Sequence, residues 1–105
     1  MSIFDKMFPN PLPKELSPVA RQETERLITD LIGVGKKDGF LSEHPGGQFD
    51  FRCHNLEARR IGLRLNELGG LDLMMAVRER VRRKLGMTAM SHLDYAWSDI
   101  GKWKP

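Results

Sequence analysis

Cys53 and His54 are adjacent, and a thiol beside an imidazole is the pairing from which a cysteine nucleophile is built. The attacking species is the thiolate, so such a site needs a base or a positive field at the sulfur. The surrounding pattern works against that. Gln48-Phe-Asp-Phe-Arg-Cys53 alternates polar and apolar residues in the manner of a short strand, whose successive side chains point to opposite faces. Cys53 then continues the Phe49/Phe51 face as a small buried hydrophobe, and His54 points the other way.

Metal binding asks for three or four convergent ligands. His44, Cys53, His54 and His92 match no zinc spacing. Gly33-Val-Gly-Lys-Lys-Asp-Gly39 has the composition of a phosphate loop but not its spacing. Asp38 stands where a hydroxyl is needed, and the segment follows a helix rather than a strand. It reads as a turn-rich connector. Glu57, Glu67, Asp72, Glu79, Asp94 and Asp99 are dispersed singly among cations, with no close pair of the kind that splits pKa values for acid–base work. No catalytic residue, metal or cofactor is expected from these patterns.

The cations are more suggestive. Arg59, Arg60 and Arg64 fall in one helical stretch and Arg78, Arg80, Arg82, Arg83 and Lys84 in the next, with Gly69-Gly70 between them. Two helices across a short break have the outline of a helix-turn-helix. A recognition helix, however, presents polar side chains near its N-terminal end, and here that end is Leu71-Asp-Leu-Met-Met75. Cations in a last helical turn also have a structural use, because they offset the negative end of the helix dipole. The basic face therefore has three readings: a solvated helix surface, a site for an acidic protein, or a nucleic-acid contact.

Four amphipathic helices would carry these residues. Ser17-Pro18 is a strong helix start. Ala20, Thr24, Leu27, Ile28 and Leu31 fall on one side of a helix over about 18–32, with Gly33 as its left-handed cap. A Phe-rich β-like segment follows, in which Phe40-Leu41 and 48–53 form a small hairpin around Pro45-Gly46-Gly47. Asn55 is an N-cap for a second helix over about 56–68, where Ala58, Ile61, Leu65 and Leu68 make a stripe. Leu56 and Leu63 project to nearly the opposite side. The third helix spans about 71–85, with Leu73, Met74, Val77, Val81 and Leu85 inward and Gly86 as its C′ residue. Ser91-His-Leu-Asp94 predicts a capping box opening a fourth, with Met90 and Tyr95 as its hydrophobic staple. Leu93, Trp97 and Ile100 continue along its face, Gly101 stops it, and Trp103 closes the core edge. The fold class is mainly α (α+β), a single domain over 17–105 preceded by a Pro-rich arm over 1–16.

Composition agrees with that scale. A chain of 105 residues with 30% charged and 40% hydrophobic residues suits one folded domain. The single cysteine excludes an internal disulfide and suits a reducing compartment, so the cytoplasm is expected. No apolar run approaches the ~20 residues of a membrane span. The opening residues carry an acid and no continuous apolar core, unlike a secretory signal. Charge is uneven: residues 1–50 carry a net −2 and residues 51–105 a net +5. With no visible chemistry, the expected function is a non-enzymatic protein–protein interaction or adaptor module, of which a homodimer is one form. Leu56, Leu63, Met75 and Trp103 are its candidate contact residues. The alternative is a nucleic-acid-associated regulator acting through the arginine-rich helices.

Overall fold

The computed structural model describes residues 12–13, 15–37, 39–40 and 56–103, and within these the chain is helical. Helix α1 spans Pro18–Lys37, α2 Leu56–Leu85 and α3 Met87–Ala96. Ser17 begins α1 as its sequence implies: the Oγ accepts from the Ala20 amide at 3.1 Å, satisfying an otherwise orphan donor. The helix then runs through Gly33 and Gly35 instead of stopping at Gly33. A Cβ at Gly33 would meet nothing, whereas one at Gly35 would lie 2.6 Å from both Leu85 Cδ1 and Phe40 Cζ. Tertiary packing of this last turn outweighs a glycine helix penalty of about 1 kcal/mol per residue. The left-handed residue comes later, at Gly39 (φ 71°).

Over 56–85, α2 consists of two helical arms that meet at Gly70, whose φ of 68° and ψ of −156° are not helical, so the chain breaks within the Gly69-Gly70 pair as its sequence implies. Ion pairs give the sense of the break. A straight helix would put Arg64 and Arg80 about 24 Å apart. Yet Arg64 pairs with Glu23 and Arg80 with Glu25, two positions apart on α1. The chain thus turns back at Gly70, and the arms 56–69 and 71–85 both face α1. Gly69 permits the turn: a Cβ there would stand 2.7 Å from Leu73 Cβ.

One core fills the space between these elements. Leu27, Ile28 and Leu31 come from α1, Ala58, Ile61 and Leu65 from the first arm of α2, and Leu73, Met74, Val77 and Val81 from the second. Leu12 and Leu16, in the segment read as an arm, are buried in the same core. So is Phe40, fully buried and outside any strand. Among the described residues there is no strand; Leu41, the 48–53 segment and the Asn55 cap lie outside them.

α3 starts five residues earlier than the Ser91 capping box implies. Gly86 (φ 99°, ψ 178°) redirects the chain in a single residue, a conformation outside the left-handed cap expected of it. Its carbonyl accepts from the Met90 amide at 3.1 Å, so the helix begins with no side-chain cap. Ser91 sits exposed in mid-helix, and Tyr95 stands half-exposed while Met90 is buried, so no staple forms. The helix ends at Ala96. Two tight turns, Ile100 N to Trp97 O (3.0 Å) and Trp103 N to Ile100 O (2.9 Å), then carry Trp97, Ile100 and Trp103 into the core.

Trp97 is clasped by the first arm of α2. Its Nε1 donates to the Ala58 carbonyl at 2.9 Å, and the missing side chain of Gly62 makes room for its ring. Trp103 packs edge-on against it, with ring centroids 5.0 Å apart and an interplanar angle of 82°.

Candidate interaction surfaces

Seven of the eight cations singled out in the sequence are engaged within the fold. Arg59 donates to the carbonyls of Ala96 (3.0 Å) and Ser98 (2.8 Å), capping the C-terminal end of α3. Arg60 pairs with Glu57 one turn away. Arg64 makes a two-pronged contact with Glu23 (2.6 and 2.9 Å) and reaches Glu67 at 3.1 Å. Arg78 grips Asp94 of α3 in the same bidentate manner, at 2.7 and 3.0 Å, with both side chains largely shielded from solvent. Arg80 reaches Glu25 at 3.1 Å. Arg82 binds Glu79, and Arg83 stands 3.8 Å from the same carboxylate.

These contacts have an electrostatic signature. The Arg64 hydrogen bonds hold the Glu23 carboxyl below the usual glutamate range, and Arg60 and Arg82 do the same for Glu57 and Glu79. The same bonds hold the Arg60, Arg64, Arg78 and Arg82 guanidinium groups more firmly protonated than usual. Lys84 is exposed at the end of α2. Of what looks like a basic face in the sequence, Arg59, Arg64, Arg78 and Arg80 are struts between helices, and Arg60, Arg82 and Arg83 pair within α2.

The apolar candidates divide. Trp103 is only 3% exposed and belongs to the core, so it is no surface contact. Leu56 and Leu63 are 80% and 49% exposed, and their seven-residue spacing puts them about 10 Å apart on the outer side of the first arm. Arg60, Arg64, Glu57 and Glu67 flank them, already paired with one another or with Glu23. Met75, 48% exposed, lies elsewhere, in an open groove of about 510 Å³ bordered by Pro13, Glu15, Asp72, Ala76, Arg78 and Glu79.

Val19, Leu71, Met87 and Tyr95, none of them among the candidate contacts read from the sequence, are also exposed. Nor were Lys36 and Lys37, which α1 carries in its last turn, among the cations singled out. Only the Lys36-Lys37 dipeptide gave a sequence signal, and it had been absorbed into the connector. Among the described residues, no group of three or more His, Cys, Asp or Glu is placed to hold a metal. His44, Cys53 and His54 lie outside the described residues, and His92 is half-buried on α3. No described helix is long and apolar enough to cross a membrane. Comparison with protein-family models, curated proteins and solved structures found no match to the chain.

Proposed function

We propose that this chain works as a non-enzymatic protein–protein interaction module, with the Leu56/Leu63 side of α2 as its primary contact. The observation that carries this reading is the exposure of two leucines on one helix stripe, ringed by ion pairs that need no outside partner. Desolvating such a stripe yields about 25 cal/mol per Å² of apolar surface, and arginine-rimmed apolar patches are characteristic of protein contacts. A protein partner or a second copy of the chain would satisfy it.

The alternative, nucleic-acid binding through Arg59, Arg60, Arg64 and Arg78–Lys84, loses support from the same ion pairs. Presenting Arg59, Arg64, Arg78 or Arg80 to phosphates would mean breaking contacts that join α1 to α2 or α2 to α3, and Arg60, Arg82 and Arg83 are paired within α2.

The test is Leu63→Glu, alone and with Leu56→Glu, in the full chain. Both variants should keep the wild-type helical signal by circular dichroism. They should lose self-association in light scattering, or lose a stoichiometric partner that the wild type captures from nuclease-treated host lysate. Unfolding of Leu63→Glu would place Leu63 in the core. Unchanged association in folded variants would remove this face from the function.

A further inference from the structure

The last turn of α1 and the last turn of α2 are fifty positions apart in the chain and in contact in the fold. Gly35 approaches Leu85 so closely that a Cβ on the glycine would fall 2.6 Å from Leu85 Cδ1. The Glu25–Arg80 pair lies further back on both helices, so α1 and the second arm of α2 run in the same sense and end together. Their C-termini are then roughly one interaxial distance, about 8–10 Å, apart.

Each of these turns is basic. Lys36 and Lys37 close α1, and Arg82, Arg83 and Lys84 close α2. Part of that charge has a structural use. Each helix end carries about −0.5 of a charge, so two ends side by side call for about one compensating cation. Glu79 accounts for one more. Among the described residues, five cations against about two negative charges leave a surplus of about three. Lys36, Lys37, Arg83 and Lys84 are all exposed. Next to them, one residue beyond Gly86, Met87 stands 60% exposed.

We infer that this end of the bundle is a docking site for an acidic, leucine-bearing segment of a partner protein. The surplus charge attracts carboxylates, and the flexible thioether of Met87 accepts an apolar side chain beside them. Nucleic acid fits less well. A duplex site typically neutralises about 6–10 phosphates, more than this surplus supplies. The guanidinium fork of Arg82, the geometry best suited to phosphate, is already closed on Glu79. The site is separate from the leucine stripe, and either can fail without the other.

The experiment is fluorescence anisotropy of the full chain with a fluorescein-labelled, glutamate-rich peptide carrying leucine, alongside a labelled oligothymidylate. The peptide should bind more tightly than the oligonucleotide and more weakly as salt rises. Lys36→Glu/Lys37→Glu/Lys84→Glu should cut peptide affinity at least tenfold, and Lys102→Glu should leave it unchanged. The Lys36→Gln/Lys37→Gln/Lys84→Gln variant removes charge without adding acid to the helix ends. It should weaken binding in the same direction and serves as the deciding variant if the glutamate version is misfolded. No peptide binding, equal binding by the glutamine variant, or tighter binding of the oligonucleotide would each overturn the inference.

Discussion

Replacing Gly62 with alanine adds one methyl group at the point where α2 meets Trp97. An ideal Cβ there falls 2.5 Å from Trp97 Nε1 and 2.6 Å from Trp97 Cδ1, inside a fully buried environment. Two effects oppose each other. Alanine is the better helix residue by about 1 kcal/mol. Against that, overpacking a filled core costs about 1–3 kcal/mol. Displacing the indole also strains its 2.9 Å bond to the Ala58 carbonyl, and leaving a buried donor unsatisfied costs about another 1–3 kcal/mol. The clash wins, and Gly62→Ala should destabilise by about 2–3 kcal/mol. In a chain of this size that lowers Tm by about 10–20 °C. Gly33→Ala is the matched control, since its Cβ meets nothing within 4 Å and its backbone is helical. It should stabilise by up to about 1 kcal/mol. Urea unfolding followed by circular dichroism reads both as shifts in midpoint at constant slope. If both alanines shift the midpoint upward alike, the packing of Trp97 on α2 is not as described.

The two tryptophans should also separate. Trp97→Phe loses the Ala58 hydrogen bond and should cost about 1–3 kcal/mol beyond its lost area. Trp103→Phe should cost clearly less, because Trp103 Nε1 is buried without a hydrogen-bond partner among the described residues and its removal relieves that penalty; equal losses in thermal melts would contradict this. On acidification, Glu23, Glu57 and Glu79, whose folded pKa values are lowered, contribute stability that is fully present above their unfolded value of about 4.3. That stability is lost as pH falls through their folded values. Glu23→Gln should therefore lower stability at neutral pH and flatten the acid limb of a stability–pH curve; an unchanged limb would show that the Arg64 contact does not persist in solution.

Much of the helical core was legible because it depends on local periodicity. Ala58, Ile61 and Leu65 are buried where their spacing puts them, as are Leu73, Met74, Val77 and Val81. Ser17 caps α1 through the hydroxyl that made it recognisable. Local rules failed where a distant contact decided the outcome. Gly33 looked like a stop because glycine often ends helices, yet the turn beyond it is held by Leu85 and Phe40. Ser91 looked like a start because it heads a capping box, yet Gly86 had already redirected the chain. Trp103 had two readings, a lid on the core edge and a contact residue, and its edge-on packing against Trp97 decides for the first.

Charge shows the same division at the level of function. Summed along the chain, the second half holds five more cations than anions, and the arginines of α2 form a run that suits a polyanion. The partners of Arg64, Arg78 and Arg80 sit 41, 16 and 55 positions away, beyond any helical spacing rule. Two of those pairs, Arg64–Glu23 and Arg80–Glu25, join the negative first half of the sequence to its positive second half, and Arg78–Asp94 lies within the second. Among the described residues, Lys36, Lys37 and Lys84 stand exposed outside these contacts, and two of them belong to the half that is acidic overall. A sequence-level charge map therefore points to the middle of α2 as the place to find a partner. The paired geometry moves that search to the end of the bundle for acidic ligands and to Leu56 and Leu63 for apolar ones.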